Sequence, residues 1–145
     1  MFYLMASIFK KVQTKRQDKP CIILLGIDNA GKSSILTGFT YTFRPPVPTW
    51  GFAHSIVEIG KKQVDIYDVG GGKNIRAIWK KYYADVHGII FVVDSTDSER
   101  REEVLEVFEE SFSHPFLVGK PILMIFQDQT MRYFGVNNYQ FAQES

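Results

Sequence analysis

The chain has 145 residues, of which 45% are hydrophobic and 14% aromatic. This is enough apolar material for one globular domain, and the chain is too short for two domains with separate cores. Its formal net charge of +1 gives the whole chain no strong attraction to nucleic acid, which we exclude as a partner. Cys21 is the single cysteine, which excludes an internal disulfide and a cysteine metal cluster and fits a reducing, cytoplasmic compartment.

Positive charge is concentrated at the N-terminus. The first 20 residues contain five basic residues and one acidic residue, and apolar residues recur at helical spacing between positions 4 and 17. We therefore interpret residues 1–19 as a basic amphipathic arm, in which residues 1–17 are able to contact a membrane surface. The longest apolar runs are far shorter than the ~20 residues that a spanning helix needs.

Strand and helix patterns alternate along the rest of the chain. The apolar runs predict five strands, at residues 21–25, 53–59, 63–68, 88–94 and 121–126. Helical spacing predicts three helices, at residues 32–40, 75–83 and 98–112. Ser98 is the expected N-cap of the last helix, whose glutamates are interpreted as a solvated face. The alternation predicts a three-layer α/β domain on a mostly parallel sheet, and a tight hairpin at residues 59–62 adds one antiparallel strand.

The segment from Gly26 to Ser33 fits the pattern G-x-x-x-x-G-K-[S/T], and it lies between an apolar strand and a helix, as a phosphate-binding loop requires. The backbone N–H groups of such a loop point at phosphate oxygens, and the start of the helix adds its positive dipole end. We expect Lys32 to contact the β- and γ-phosphates of a nucleoside triphosphate and Ser33 to bind Mg²⁺. The candidate nucleotide-binding residues in this segment are Gly26, Asp28, Asn29, Ala30, Gly31, Lys32, Ser33 and Ser34.

Three further positions are candidates for the same site. Thr49 lies in a proline-rich loop, where its hydroxyl is placed to close on Mg²⁺ and sense the γ-phosphate. Asp68 ends an apolar strand, and a carboxylate there can hold Mg²⁺ through a water molecule. Gly70 or Gly71 can donate a backbone N–H to the γ-phosphate. Each of these residues also has an ordinary interpretation as a loop or turn residue.

These motifs together resemble the Arf-family small GTPases. The matching segments, in the order and spacing of that family, are residues 26–33, 48–52, 68–71, 75–83 and 91–95. The first seven residues and the third glycine, Gly72, resemble the ciliary branch of the family (the Arf-like protein 13 type). The resemblance implies a P-loop NTPase with a Ras-like G domain that binds GTP or GDP with Mg²⁺. It also implies protein effectors, another Arf-like GTPase as a partner, and a location at the cilium or the membrane periphery.

Two departures from the family pattern change what the resemblance implies. Gly72 stands where most members have a glutamine that orients the attacking water, so we assign no catalytic residue and expect slow hydrolysis. The guanine-reading motif Asn-Lys-x-Asp is replaced by residues 127–130. Without a gap, Gln127 falls at the asparagine position and Thr130 at the aspartate; with a two-residue deletion, Asp128 takes the base-reading role. Either alignment predicts poor discrimination of guanine.

The resemblance also sets the expected domain organisation. Residues 20–127 are expected to form the G domain, C-terminally incomplete, and residues 128–145 a divergent tail. The family's last strand and helix are expected to be missing, which leaves the strand at residues 121–126 at an open, apolar edge. Two alternatives remain open. One is a non-enzymatic interaction module, a pseudo-GTPase or decoy with weak nucleotide binding; the other is an ATP-using P-loop enzyme, for which the sequence offers no adenine-specific feature.

Overall fold

A computed structural model of the chain describes residues 19–40, 51–59, 61–128 and 139–141. The basic arm and Thr49 therefore lie outside the described residues, apart from Lys19 at the end of the arm. The elements in chain order are β1 (Cys21–Leu25), α1 (Lys32–Thr40), β2 (Phe52–Ile59), β3 (Lys62–Val69), a 3-10 helix (Arg76–Lys81), β4 (Gly88–Asp94), α2 (Arg101–Phe112), β5 (Ile122–Gln127) and β6 (Tyr139–Phe141). Among the described helices, none is long and apolar enough to cross a membrane.

The strands form one six-stranded sheet in the order β2-β3-β1-β4-β5-β6. β1 pairs in parallel with both β3 and β4, β4 pairs in parallel with β5, and β2 pairs antiparallel with β3. The carboxyl ends of β1, β3, β4 and β5 consequently share one edge of the sheet. The chain order reverses at β1, and ligands of open α/β sheets bind at the carboxyl end of such a strand.

The centre of the sheet is covered on both faces. Every residue of β1 and the first five of β4 are buried, and successive side chains of a strand point to opposite faces. Phe91 of β4 packs edge-on against Phe108 and Phe112 of α2, with ring centroids 5.3 and 5.9 Å apart. The predicted Ras-like, three-layer α/β fold on a mostly parallel sheet is confirmed.

Two helices differ from the sequence prediction. The helix predicted at residues 75–83 is a shorter 3-10 helix, tightened so that the buried Trp79 donates its indole N–H to the carbonyl oxygen of Gly70 at 2.9 Å. α2 begins at Arg101 with Arg100 at the N-cap position. The predicted Ser98 cap was wrong, because residues 98–100 precede the helix and the carboxylate of Asp97 accepts the backbone N–H of Arg100 there, at 3.3 Å.

The far edge of the sheet carries a strand that the sequence did not predict. β6 runs antiparallel to β5 and pairs three of its residues with Ile125, Phe126 and Gln127. The expected open edge is therefore wrong for these three positions. A strand of three residues is too short to produce a periodic hydrophobic pattern, so sequence periodicity does not predict it.

Candidate nucleotide-binding site

The loop between β1 and α1 has a backbone conformation that depends on its small residues. Gly26, Asn29 and Gly31 have φ angles of 150°, 60° and 96°, which L side chains other than asparagine and aspartate rarely adopt. A Cβ atom at Gly26 would lie 2.5 Å from the carbonyl oxygen of Val92 in β4. Glycine is therefore needed at position 26 for packing as well as for conformation.

Lys32 is the first residue of α1 and is buried under this loop, with 7% of its surface exposed. Its Nζ atom donates to the carbonyl oxygens of Gly26 and Ile27, at 2.9 and 3.0 Å. Burial lowers the pKa of Lys32 from 10.5 to about 8, against the opposing charges of Asp68 and Asp28. A buried ammonium group whose pKa is lowered in this way is stabilised by an anionic ligand such as a phosphate oxygen.

Ser33 and Asp68, two of the three predicted Mg²⁺ ligands, come together beside Lys32; the third, Thr49, lies outside the described residues. The Ser33 hydroxyl donates to Oδ2 of Asp68 at 2.8 Å. Asp68 is 2% exposed, and the sheet register places it next to Leu24 near the end of β1. Hydroxyl and carboxylate oxygens are ligands that suit Mg²⁺, so the donor set fits this cation.

The glycine loop, residues 70–72, follows β3 and lies directly against the phosphate loop. A Cβ atom at Gly71 would lie 2.4 Å from the carbonyl oxygen of Gly26 and 2.5 Å from the nitrogen of Asp28. At Gly72 the nearest atom to such a Cβ is Cδ1 of Ile75, at 3.9 Å, which is an ordinary contact. Packing therefore requires glycine at position 71 and does not require it at position 72.

The 3-10 helix holds the glycine loop through its carbonyl groups. Trp79 donates to the oxygen of Gly70, and Nε of Arg76 donates to the oxygen of Gly71 at 2.8 Å. The same guanidinium donates through its second terminal nitrogen to Oε1 of Glu103 in α2, at 2.6 Å. The interpretation of Glu103 as part of a solvated face was wrong, because this ion pair leaves only 19% of its side chain exposed.

A second arginine connects the phosphate loop to the start of α2, and sequence reasoning missed it. Arg100 donates to both Oδ1 and the backbone oxygen of Asp28, at 3.1 and 3.0 Å, and to Oδ2 of Asp97 at 2.6 Å. Burial opposes the charge of Arg100, but the bond to Asp97 and the charge of Asp28 raise its pKa. Arg100 and Asp28 are separated by 72 positions, so no local sequence pattern reports the contact.

The predicted base-reading residues lie farther along the same edge of the sheet. Gln127 ends β5 beside Asp94 and is 1% exposed, and its backbone oxygen accepts the N–H of Ser95 at 2.9 Å. Asp128 follows it and is half-buried. Thr130 lies outside the described residues. Gln127 thus occupies the end of a buried strand, where the ungapped alignment places the family's asparagine.

An aromatic patch, formed by Phe52, Tyr67 and Tyr82, lies on the hairpin side of the domain. The rings of Phe52 and Tyr82 are stacked, with centroids 4.8 Å apart, and Tyr67 lies 5.2 and 5.6 Å from them. Phe52 is 40% exposed. The three residues come from three separate segments, so the sequence did not group them.

A mostly parallel sheet with a glycine-containing loop after β1 and an aspartate near the end of β3 is typical of the Ras-like small GTPase fold. Residues 5–134 match the ADP-ribosylation factor family. The chain therefore belongs to the ADP-ribosylation factor family of small GTPases, as its motifs predicted.

Individual relatives agree with this assignment. The chain is 39% identical over 132 residues to ADP-ribosylation factor-like protein 13B of Chlamydomonas reinhardtii. This alignment covers 90% of this chain and 25% of that protein. It is 37% identical over 138 residues to ADP-ribosylation factor-related protein 1 of Rattus norvegicus, covering 89% of this chain and 68% of the relative. The chain thus spans about a quarter of the first relative and about two thirds of the second.

A solved structure shows the same fold. The Arl6 BBS3 small GTPase from Trypanosoma brucei, with bound nucleotide analogue GppNp, superposes with a TM-score of 0.67 at 29% identity. The match covers 74% of this chain and 66% of that one.

Proposed function

We propose that this chain is a Mg²⁺-dependent guanine nucleotide switch with slow intrinsic hydrolysis. The observation that carries the proposal is the meeting of Lys32, Ser33 and Asp68 at the carboxyl ends of β1 and β3, with Gly71 packed on the same loop. In this arrangement Lys32 binds the β- and γ-phosphate oxygens, and the backbone N–H groups of the loop bind the phosphate chain. Ser33, Thr49 and, through water, Asp68 would hold Mg²⁺. The bound ion would neutralise the phosphate charge.

The switch itself is assigned to the glycine loop. Gly71 lies in van der Waals contact with the phosphate loop, so its backbone N–H is within reach of a terminal phosphate. A triphosphate that accepts this N–H orders the glycine loop, and a diphosphate releases it. The aromatic patch adjoins the hairpin that precedes this loop and offers an exposed surface through which protein effectors distinguish the two states.

Identification of the bound nucleotide tests the proposal. We expect protein purified without added nucleotide to release GDP or GTP on denaturation, as resolved by chromatography, and added EDTA to speed its dissociation. Bound ATP would instead support the ATP-using alternative. If no nucleotide binds with or without Mg²⁺, the chain is an interaction module rather than a switch.

The slow hydrolysis is attributed to Gly72. Glycine has no side-chain amide to orient the attacking water, so we expect a rate of roughly 10⁻⁴ per second or below without a helper protein. Because a side chain fits at position 72, Gly72→Gln should raise the single-turnover rate of phosphate release about tenfold, or about 1.4 kcal/mol. Gly72→Ala is the control and should leave the rate unchanged. A rate near 1 per second in the parent would contradict this explanation.

For location, we propose the cytoplasm with recruitment to the cilium or the membrane periphery, and an Arf-like GTPase among the partners. The similarity to Arf-like protein 13B and the basic arm support this assignment. Sedimentation with liposomes of anionic lipid should retain the full chain better than a form lacking residues 1–17. Equal sedimentation of the two forms would remove the membrane role.

A further inference from the structure

The contact between Arg100 and Asp28 of the phosphate loop has no role in the switch proposed above. Arg100 lies at the N-cap of α2, and its two terminal nitrogens reach both the carboxylate and the backbone carbonyl of Asp28. The remaining nitrogen, Nε, is bound to Asp97, which also accepts the backbone N–H of Arg100. Asp97 therefore holds the guanidinium through Nε, and the two terminal nitrogens form a planar pair of donors that binds Asp28 of the loop.

The bond to the carbonyl oxygen determines how the following peptide group is oriented. In a planar trans peptide the C=O and N–H groups point in opposite directions. Because Arg100 binds the oxygen of Asp28 from the α2 side at 3.0 Å, the N–H of Asn29 is directed away from α2. Asn29 is also the described non-glycine residue with a positive φ, 60°, so this turn of the loop needs an external contact to keep its orientation.

We propose that Arg100 is a positioning residue for phosphate binding: it holds the Asp28–Asn29 peptide so that the Asn29 N–H faces the bound phosphate chain. The inference rests on the proposed nucleotide-binding function. The carbonyl bond carries the effect, because the Asp28 side chain is 48% exposed and an ion pair of that exposure contributes little.

Arg100→Ala tests the assignment when the affinities for GDP, a non-hydrolysable GTP analogue and GMP are measured. Both longer nucleotides should bind about tenfold more weakly, which corresponds to about 1.4 kcal/mol. GMP should be unaffected because it lacks the β-phosphate. Arg101→Ala is the matched control: Arg101 is the next residue, carries the same charge and is exposed, and this variant should bind all three nucleotides like the parent.

Two further variants separate positioning from general stability. Asp28→Ala removes the carboxylate and keeps the carbonyl, so it should lose less affinity for GDP than Arg100→Ala. Arg100→Lys keeps the charge but lacks the fork, so it should recover only part of the lost affinity. The ³¹P resonance of the β-phosphate of bound GDP should move in Arg100→Ala and stay in place in Arg101→Ala.

Three results would overturn the inference. The first is that Arg100→Ala binds GDP as tightly as Arg101→Ala does. The second is that the β-phosphate resonance of GDP bound to Arg100→Ala stays at the parent position. The third is that Arg100→Ala loses affinity for GMP and GDP equally, which would indicate general destabilisation. A parent chain that binds neither GDP nor the GTP analogue is a different outcome, since the proposed function then fails before the role of Arg100 is tested.

Discussion

The two ends of the nucleotide-binding edge differ in how completely they follow the family pattern. Near the ends of β1 and β3, Lys32 donates to the carbonyl oxygen of Gly26 and Ser33 donates to Asp68, the arrangement from which we propose phosphate and Mg²⁺ binding. At the end of β5, Gln127 and Asp128 replace the guanine-reading motif, and the strand beside them is the short, antiparallel β6. The phosphate end depends on backbone groups and few side chains, whereas guanine recognition depends on one specific side-chain motif. We therefore expect phosphate binding and base selection to be separable properties of this site.

The largest effect is expected from Lys32→Ala, which breaks the phosphate end. It removes the buried ammonium group that contacts the loop and that we propose to bind the phosphates, and we expect the affinity for GDP to fall at least about 100-fold, or about 2.7 kcal/mol. Lys80→Ala is the control, because Lys80 is an exposed lysine on the 3-10 helix. Equal affinity of Lys32→Ala and the parent would show that phosphate binding has been assigned to the wrong loop.

The next effect concerns the contact between the glycine loop and the phosphate loop. Gly71→Ala places a methyl group within 2.5 Å of phosphate-loop backbone atoms, and we expect it to lower the free energy of unfolding by about 2 kcal/mol in urea denaturation. Gly72→Ala adds the same methyl group at an ordinary contact distance from Ile75 and should change the free energy of unfolding by less than about 0.5 kcal/mol. Similar unfolding free energies for the two variants would argue against the close approach at Gly71.

A smaller effect is expected from pH. The pKa of Lys32 is about 8 without ligand, and bound phosphate raises it. Below pH 8 the ammonium group is already protonated, so Lys32 adds no pH dependence; above pH 8 binding must take up a proton, and the affinity for GDP should fall by up to about tenfold per pH unit. Titration of GDP binding between pH 7 and 9 measures this. In the Lys32→Arg variant residue 32 does not titrate in this range, so this variant is the control for ionisation of the guanine base of GDP. The same change of GDP affinity with pH in that variant would exclude Lys32 as the source.

The smallest effect is expected at the base end. We expect the parent to prefer GTP over ATP by well under a thousandfold, where a thousandfold preference corresponds to roughly 4 kcal/mol. We expect Asp128→Ala to change that preference by less than about tenfold. Competition binding with both nucleotides on the monomeric fraction gives both values. A thousandfold preference would mean that residues 127–145 recognise guanine in a way that the family motif does not anticipate.

The sequence predicted the elements around the candidate site where local patterns carry the information. The strand-loop-helix order around Lys32 and the strand that contains Asp68 are readable from neighbouring residues, and the structure contains both; the binding roles of these residues stay predictions. The contacts of Arg76 and Arg100 join segments far apart in the chain, so only the topology of the sheet reveals them. Ser98 shows a third limit, because propensity alone does not place the start of the helix at Arg101 rather than directly after Ser98.

The pairing of β6 with β5 differs from the central pairings in sequence separation, and this bears on how the sheet forms and opens. β6 pairs Tyr139 with Gln127, a separation of about a dozen positions, whereas β1 pairs Ile22 with Gly88, more than sixty positions away. Short-range pairings close with a smaller loss of chain entropy than long-range ones. β6 is three residues long and, among the described strands, pairs with β5 alone at the edge of the sheet. It is therefore able to open without disturbing the pairing of β1, and its amide protons should exchange with solvent well before those of the central strands.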